Sequence, residues 1–405
     1  MNDTTWDVIV VGAGPAGSAT AGLLAGAGHG VLVLEREAFP RFHIGESLLP
    51  LSLPVLDRLG VGADDNFLYK QGAEFVRETT GDQRMFDFAE ALPGPPRHAW
   101  QVVRAGFDTR LRDRAIALGA TVRDARVLRV ELEGDGVTVH TRDGELRARF
   151  LVDASGQNRL LARKFDTAQP IRTFGETAAF VHFAGLGDAA METIGPGHEI
   201  RIMVVPEGWG WVIPLPGRAL SVGLVCRAGE PASRRCGGYI ANSALIQRLT
   251  EGAAMSEMRL ERNFSYRNLR PGGERFACVG DAACFLDPVF SSGVSLALAG
   301  AERIAERLDA ALREGDEARE DLLKSHYEHM SAGIAVFAGM IDRFYNTRFI
   351  EHFIFGPQGG GEVTAQIVSV LAGDVWRSDN PFARLLVEGR RRTTALDEGG
   401  GRGLH

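Results

Sequence analysis

The residues of this chain best suited to chemistry are few. They are a glycine series at Gly12, Gly14 and Gly17, the acid Glu35, an isolated lysine at Lys70, a tryptophan pair at Trp209 and Trp211, and a Ser292-Gly293 step. The glycine spacing reads GxGxxG. In the right frame its first glycine makes a tight turn, the second admits a pyrophosphate against the backbone, and the third lets helix and strand pack closely. Lys70 stands out by rarity: of 45 basic residues only Lys70, Lys164 and Lys324 are lysines. A desolvated amine can act as a nucleophile or compact donor, whereas a guanidinium stays protonated; the bland alternative is a solvated surface lysine. Trp209 and Trp211 alternate, so a strand turns both to one side, as core aromatics or as a wall. Ser292-Gly293 opens a helix whose free N–H groups suit an anion, or merely cap the helix.

The elements that must position these groups follow from pattern. "DVIVVGAGPAGSATAGLLAGAGHGVLVLERE" predicts a strand over Asp7–Val11, a helix over Pro15–Ala27 and a second strand over Val31–Leu34. That frame makes GxGxxG meaningful, directs the helix N-terminus at phosphates, and places Glu35 to accept from a ribose; Ala16 and Arg36 complete the set. A β run at Ala277–Gly280 delivers Asp281, and a loop then leads to a long helix from near Gly293. Between them, "TAAFVHF", "HEIRIMVVPEG", "WGWVIPLPG" and "ALSVGLVCR" predict an antiparallel sheet. Helices return in "DLLKSHYEHMSAGIAVFAGMIDRFYN" and "VTAQIVSVLAGDVW", separated by the flexible "GPQGGGE". "EGRRRTTALDEGGGRGLH" reads as a frayed tail.

Composition narrows the class. A net charge of -7 argues against a nucleic-acid partner. Cys226, Cys236, Cys278 and Cys284 form no CxxC pair, which points to buried thiols rather than a metal site or disulfide framework. The N-terminus lacks a basic start, and no apolar run approaches the ~20 residues of a membrane span, so a cytoplasmic protein is expected.

"ERFACVGDAACFLDPVFSSGVSLALAG" resembles the second FAD fingerprint of the glutathione-reductase-type flavoproteins, and that likeness assigns Asp281 to the ribityl chain. "GFDTRLRDRAIALGATV", preceded by Arg104, and "FLVDASGQNRLLARK" resemble segments of the flavin monooxygenases, in which the arginine contacts FAD. The implied fold is α/β: a discontinuous Rossmann-like FAD-binding domain of the glutathione-reductase or hydroxylase type, with an antiparallel substrate sheet and a C-terminal helical region. The expected boundaries are 1–175 (with an insertion near 81–99) and 265–312 for the FAD domain, 176–264 for the substrate sheet, and 313–405 for the helices and disordered tail. No second GxGxxG unit is present, so a separate flavin reductase is expected to supply FADH2.

"FPRFHIGESLLP", "WGWVIP" and "FLDPVFSSG", together with "KQGAEF" around Lys70, resemble the flavin-dependent halogenases: the second fits their WxWxIP signature and the third their FxxPxxSxG signature. The resemblance implies that reduced FAD and O2 form a flavin hydroperoxide, which chloride or bromide attacks to give hypohalous acid. Ser292 and Gly293 would bind the halide. Trp209, Trp211, Pro288 and Phe290 would keep the substrate off the flavin, and Lys70 would relay the halogen as a chloramine or by hydrogen bonding. Phe290 stands where the tryptophan-acting branch has a glutamate. That departure favours a phenol or pyrrole in natural-product biosynthesis, free or tethered to a carrier protein. The alternatives are a single-component flavin monooxygenase, a geranylgeranyl-reductase-like ene-reductase, or a non-catalytic flavin protein; Lys70 and WxWxIP speak against them.

Overall fold

In the computed structural model, residues 5–388 are described except 176, 207, 227–230, 347, 358 and 359. The tail expected to fray lies almost wholly outside the described residues.

The strand Thr5–Val11 runs parallel between Val31–Glu35 and Gly144–Asp153, with Val8 opposite both Val31 and Phe150. A central parallel strand is covered on both faces, which is why it reads as an unbroken apolar run rather than an alternation. Thr121–Asp124 extends the sheet at one edge, and Phe276–Cys278 and Gly272–Gly273 extend it at the other. Val8, Val10, Phe150 and Val152 face the helices Pro15–Gly26, Arg104–Ala117 and Ser292–Glu314. Ile9, Val11, Leu32 and Leu34 face the hairpin Arg129–Glu133 and Gly136–Thr141. Each such side chain is worth about 1.5–3 kcal/mol when fully buried. Pro15 starts its helix where a missing N–H does no harm. The long helix stops at Gly315, whose φ of 78° suits a left-handed cap.

A second sheet runs in the order 254–255, 177–184, 219–226, 208–215, 200–205, 72–77 and 82–87, with 259–262 also on 177–184. Within 176–264 every strand pair is antiparallel, as the sequence pattern predicts, and Gly72–Arg77 joins this sheet from outside that region by pairing in parallel with Ile200–Val205. Region 176–264 also holds helices that its turn-rich pattern concealed, at Asp188–Ile194, Ala232–Asn242 and Ala244–Leu249. They cover one face of the sheet. The other face packs against the loop at 285–290 and the helices Lys324–Asn346 and Gly361–Leu371. A two-stranded ribbon, Phe67–Lys70 with Ala99–Val102, leads from the first layer into the second. All four cysteines are thiols; Cys284 is half-buried rather than buried. No described helix is long and apolar enough to cross a membrane.

Candidate active site

A cleft of about 850 Å3 runs from the glycine turn to the tryptophan pair. At one end it is lined by Gly12, Gly14, Ala16, Glu35 and Arg36. Gly12 has a φ of 102°, and a Cβ there would lie 2.5 Å from the Ala154 carbonyl oxygen, so the turn requires glycine. Gly17 stands back from the cleft, where a Cβ would strike the Gly12 carbonyl: it serves helix–strand closeness, as its place in the motif predicts. Glu35 is buried and accepts from the Ala13 N–H at 2.7 Å and the Glu37 N–H at 2.9 Å, which fixes its carboxylate beside the turn.

In the middle stand Arg104 and Asp281. The Arg104 fork is largely engaged, by both oxygens of Asp108 and by the Ile44 carbonyl at 2.5 Å, so it clamps the 41–47 segment onto the cleft wall. Asp281 takes a hydrogen bond from Gln157 Nε2 at 3.4 Å, and burial pushes its pKa up to about 6. The 41–47 segment lines the cleft with residues to which the sequence pattern alone assigns no role. Three buried atoms there, Arg41 Nε, Glu46 Oε2 and Ser47 Oγ, have no hydrogen-bond partner within the protein, and all three residues line the cleft. Buried polar groups left unpaired in this way call for a ligand rich in donors and acceptors. The other Glu46 oxygen meets His182 Nε2 at 2.7 Å, tying this segment to the second sheet.

At the far end, Trp209, Trp211, Pro288 and Gly293 line the cleft. The two indoles share one face of Gly208–Leu215, with ring centroids 5.8 Å apart. Trp211 Nε1 donates to Ser221 Oγ at 3.1 Å, and Trp209 Nε1 to the Tyr345 hydroxyl at 2.9 Å. Ser291 adopts a left-handed φ of 55° and starts the helix at Ser292. Ser292 is buried and faces a second cavity of about 280 Å3, while Gly293 borders both spaces. Phe290 does not line the cleft; it packs edge-on against Phe344.

Lys70 lies outside the cleft and is only 1% exposed. Its Nζ donates to the Leu48 carbonyl at 2.8 Å and sits 5.2 Å from the Phe88 ring centroid. Leu48 directly follows the cleft residues Glu46 and Ser47, so the amine touches the same chain segment from behind. Burial lowers its pKa to about 7, which leaves a substantial neutral, nucleophilic fraction at neutral pH.

A tryptophan halogenase family profile matches residues 7–95 and 94–348. The chain belongs to the tryptophan halogenase family. One relative, the 1H-pyrrole-2-carbonyl-(peptidyl-carrier protein) chlorinase of Pseudomonas fluorescens, is 30% identical, over 93% of this chain and 91% of that protein. The tryptophan 2-halogenase of Chondromyces crocatus is 32% identical, over 72% of this chain but 58% of its own length. Among solved structures, the flavin-dependent brominase Bmp2 superposes with a TM-score of 0.84 at 25% identity, covering 98% of this chain and 100% of that one.

As a member of this family the protein is an FAD-dependent halogenase, an enzyme that uses reduced FAD, halide and dioxygen. The cleft fits that cofactor: its length joins the glycine turn to the tryptophans, and the unpaired Arg41, Glu46 and Ser47 atoms match a phosphate- and amide-bearing ligand. Backbone at Gly12–Gly14 with Glu35 and Asp281 would hold FAD. Bound there in its reduced form, FAD supplies the electrons with which dioxygen becomes able to oxidise halide.

Proposed function

We propose that this halogenase acts on a pyrrole or phenol delivered on a carrier protein, through Lys70, and that a separate flavin reductase supplies FADH2. The observation that carries the reading is the buried Lys70 amine, set apart from the cleft and held partly uncharged by desolvation. An amine in that state can take up an electrophilic halogen from hypohalous acid, N–Cl forming as water leaves, and pass it to carbon. Trp209 and Trp211 stand at the cleft's end as a wall that keeps the aromatic ring away from the flavin. Gly293, with the N–H groups opening its helix, is the halide donor set. Phe290 supports an electron-rich ring: at that point of the loop no carboxylate is available to assist an indole. A tethered pyrrole is favoured by the name of the near-full-length Pseudomonas relative.

The test is reconstitution with FAD, a flavin reductase, NADH and chloride or bromide. Free and carrier-linked pyrrole-2-carboxylate, a phenol and free tryptophan are scored by mass spectrometry. Halogenated carrier-linked pyrrole is the expected product. Rapid NADPH oxidation without a reductase, together with hydroxylated product, would instead make the chain a single-component oxygenase.

A further inference from the structure

Three distant elements meet at the Tyr345 hydroxyl. It receives the Trp209 indole N–H at 2.9 Å and donates to Asp287 Oδ2 at 2.9 Å. Tyr345 belongs to the helix Lys324–Asn346, Trp209 to the strand Gly208–Leu215, and Asp287 to the loop that leads into Ser292-Gly293. Asp287 is 1% exposed. Its Oδ1 caps the single turn Pro288–Phe290 by accepting from the Val289 N–H at 3.0 Å, and its Oδ2 also accepts from Gly175 N–H at 3.1 Å. Space is shaped to this junction. A Cβ on Gly175 would lie 2.8 Å from the Tyr345 hydroxyl and 3.0 Å from Asp287 Oδ2.

We infer that Asp287 and Tyr345 are positioning residues that set the halide turn at a fixed distance from the tryptophan wall. The inference rests on the reading of Ser292-Gly293 as the halide turn. Asp287 fixes the start of the loop, five residues before Ser292, and Tyr345 ties that start to the indole forming the wall. Deleting the hydroxyl takes away the oxygen that accepts from the Trp209 indole and one of the donors to the buried Asp287 carboxylate, leaving that indole and carboxylate to meet without the bridge between them. Buried groups left this way move to find partners. The bridging oxygen then no longer sets the spacing of loop and strand, and the space between turn and wall loses its definition. Halide affinity is the property most exposed to that loss, because a desolvated anion needs donors in fixed places.

The experiment compares chloride KM, kcat, FAD content and melting temperature of the reconstituted enzyme in four variants. Tyr345→Phe and Asp287→Asn are expected to raise chloride KM five- to twentyfold, with FAD content held and kcat at saturating chloride changed much less. Tyr327→Phe removes another buried hydroxyl, one that bonds Pro271 and Cys278; it should lower the melting temperature and leave chloride KM alone. Gly293→Ala tests the turn itself, since its Cβ would lie 3.2 Å from a Phe285 ring carbon. A chloride KM unmoved by Gly293→Ala overturns the halide turn and this inference with it. A KM moved by Gly293→Ala but by neither Tyr345→Phe nor Asp287→Asn overturns the positioning role alone. That role also falls if Tyr327→Phe raises chloride KM as much as they do. Asp287→Asn, which preserves shape, decides the matter if Tyr345→Phe does not fold.

Discussion

Replacing Lys70 with methionine should make the protein more stable while ending its chemistry. Lowering the amine's pKa from 10.5 to about 7 corresponds, at about 1.4 kcal/mol per factor of ten, to roughly 5 kcal/mol of penalty on the ammonium. The unfolded chain holds one more proton than the folded chain between about pH 7 and 10.5. Stability therefore rises with pH across that window, and the penalty is fully present below about pH 7. Methionine removes the charge and keeps the length of the side chain. It also strands the Leu48 carbonyl, which costs about 1–3 kcal/mol. The expected net gain is about 2–4 kcal/mol at pH 6, shrinking towards zero or below by pH 10. Denaturant unfolding of both proteins at saturating FAD, at pH 6, 8 and 10, measures it. A gap that is equal at every pH, or a methionine variant less stable at pH 6, would refute the reasoning about Lys70 burial. The same variant should form no halogenated product.

Lys70→Ala and Lys70→Arg should both keep FAD binding and flavin reoxidation by oxygen while losing product by several orders of magnitude, as read by mass spectrometry; a Lys324 substitution should be silent. Gly14→Val should lose most bound flavin without unfolding the chain, because a Cβ at Gly14 meets little but Arg41 Nη2 at 3.3 Å, at the mouth of the cleft; retention of flavin absorbance at full occupancy would remove this turn from the cofactor site. Free tryptophan should be a poor substrate because Phe290 replaces the acid of the indole-acting branch, and efficient tryptophan chlorination with an inert carrier-linked pyrrole would overturn that substrate class.

What the sequence disclosed followed the range of each signal. The glycine turn, its helix, the second strand and Glu35 lie within one continuous segment, so their geometry was legible from spacing alone. Lys70 was legible by composition, because arginine had displaced nearly every other lysine. The meeting of Trp209, Asp287 and Tyr345 was not, since Tyr345 lies 58 residues from Asp287 and 136 from Trp209, and no local pattern records such a pairing. The helix Ala232–Asn242 was hidden for a different reason: its Gly237-Gly238 pair reads as a turn, and packing of Cys236 and Ile240 onto the sheet overrides that local preference. The strand partners of Gly72–Arg77 were equally obscure, because alternation says that a strand has a buried face but not which sheet will cover it.

The ribbon Phe67–Lys70 gives the lysine an unusual address. Lys70 is the last residue of that ribbon before the chain enters the second sheet, which Gly72–Arg77 joins immediately after Gln71. Its neighbours come from both sides of that seam: Leu48 from the segment leaving the cofactor cleft, and Phe88 from just beyond the outermost strand of the second sheet. The docking of these two layers shields the amine, which is 1% exposed. Should they part, water reaches Nζ, the ordinary basicity of lysine returns, and the nucleophile is quenched by a proton. On the reading of Lys70 as the halogen relay, the neutral state of its amine depends on that packing as well as on the lysine itself.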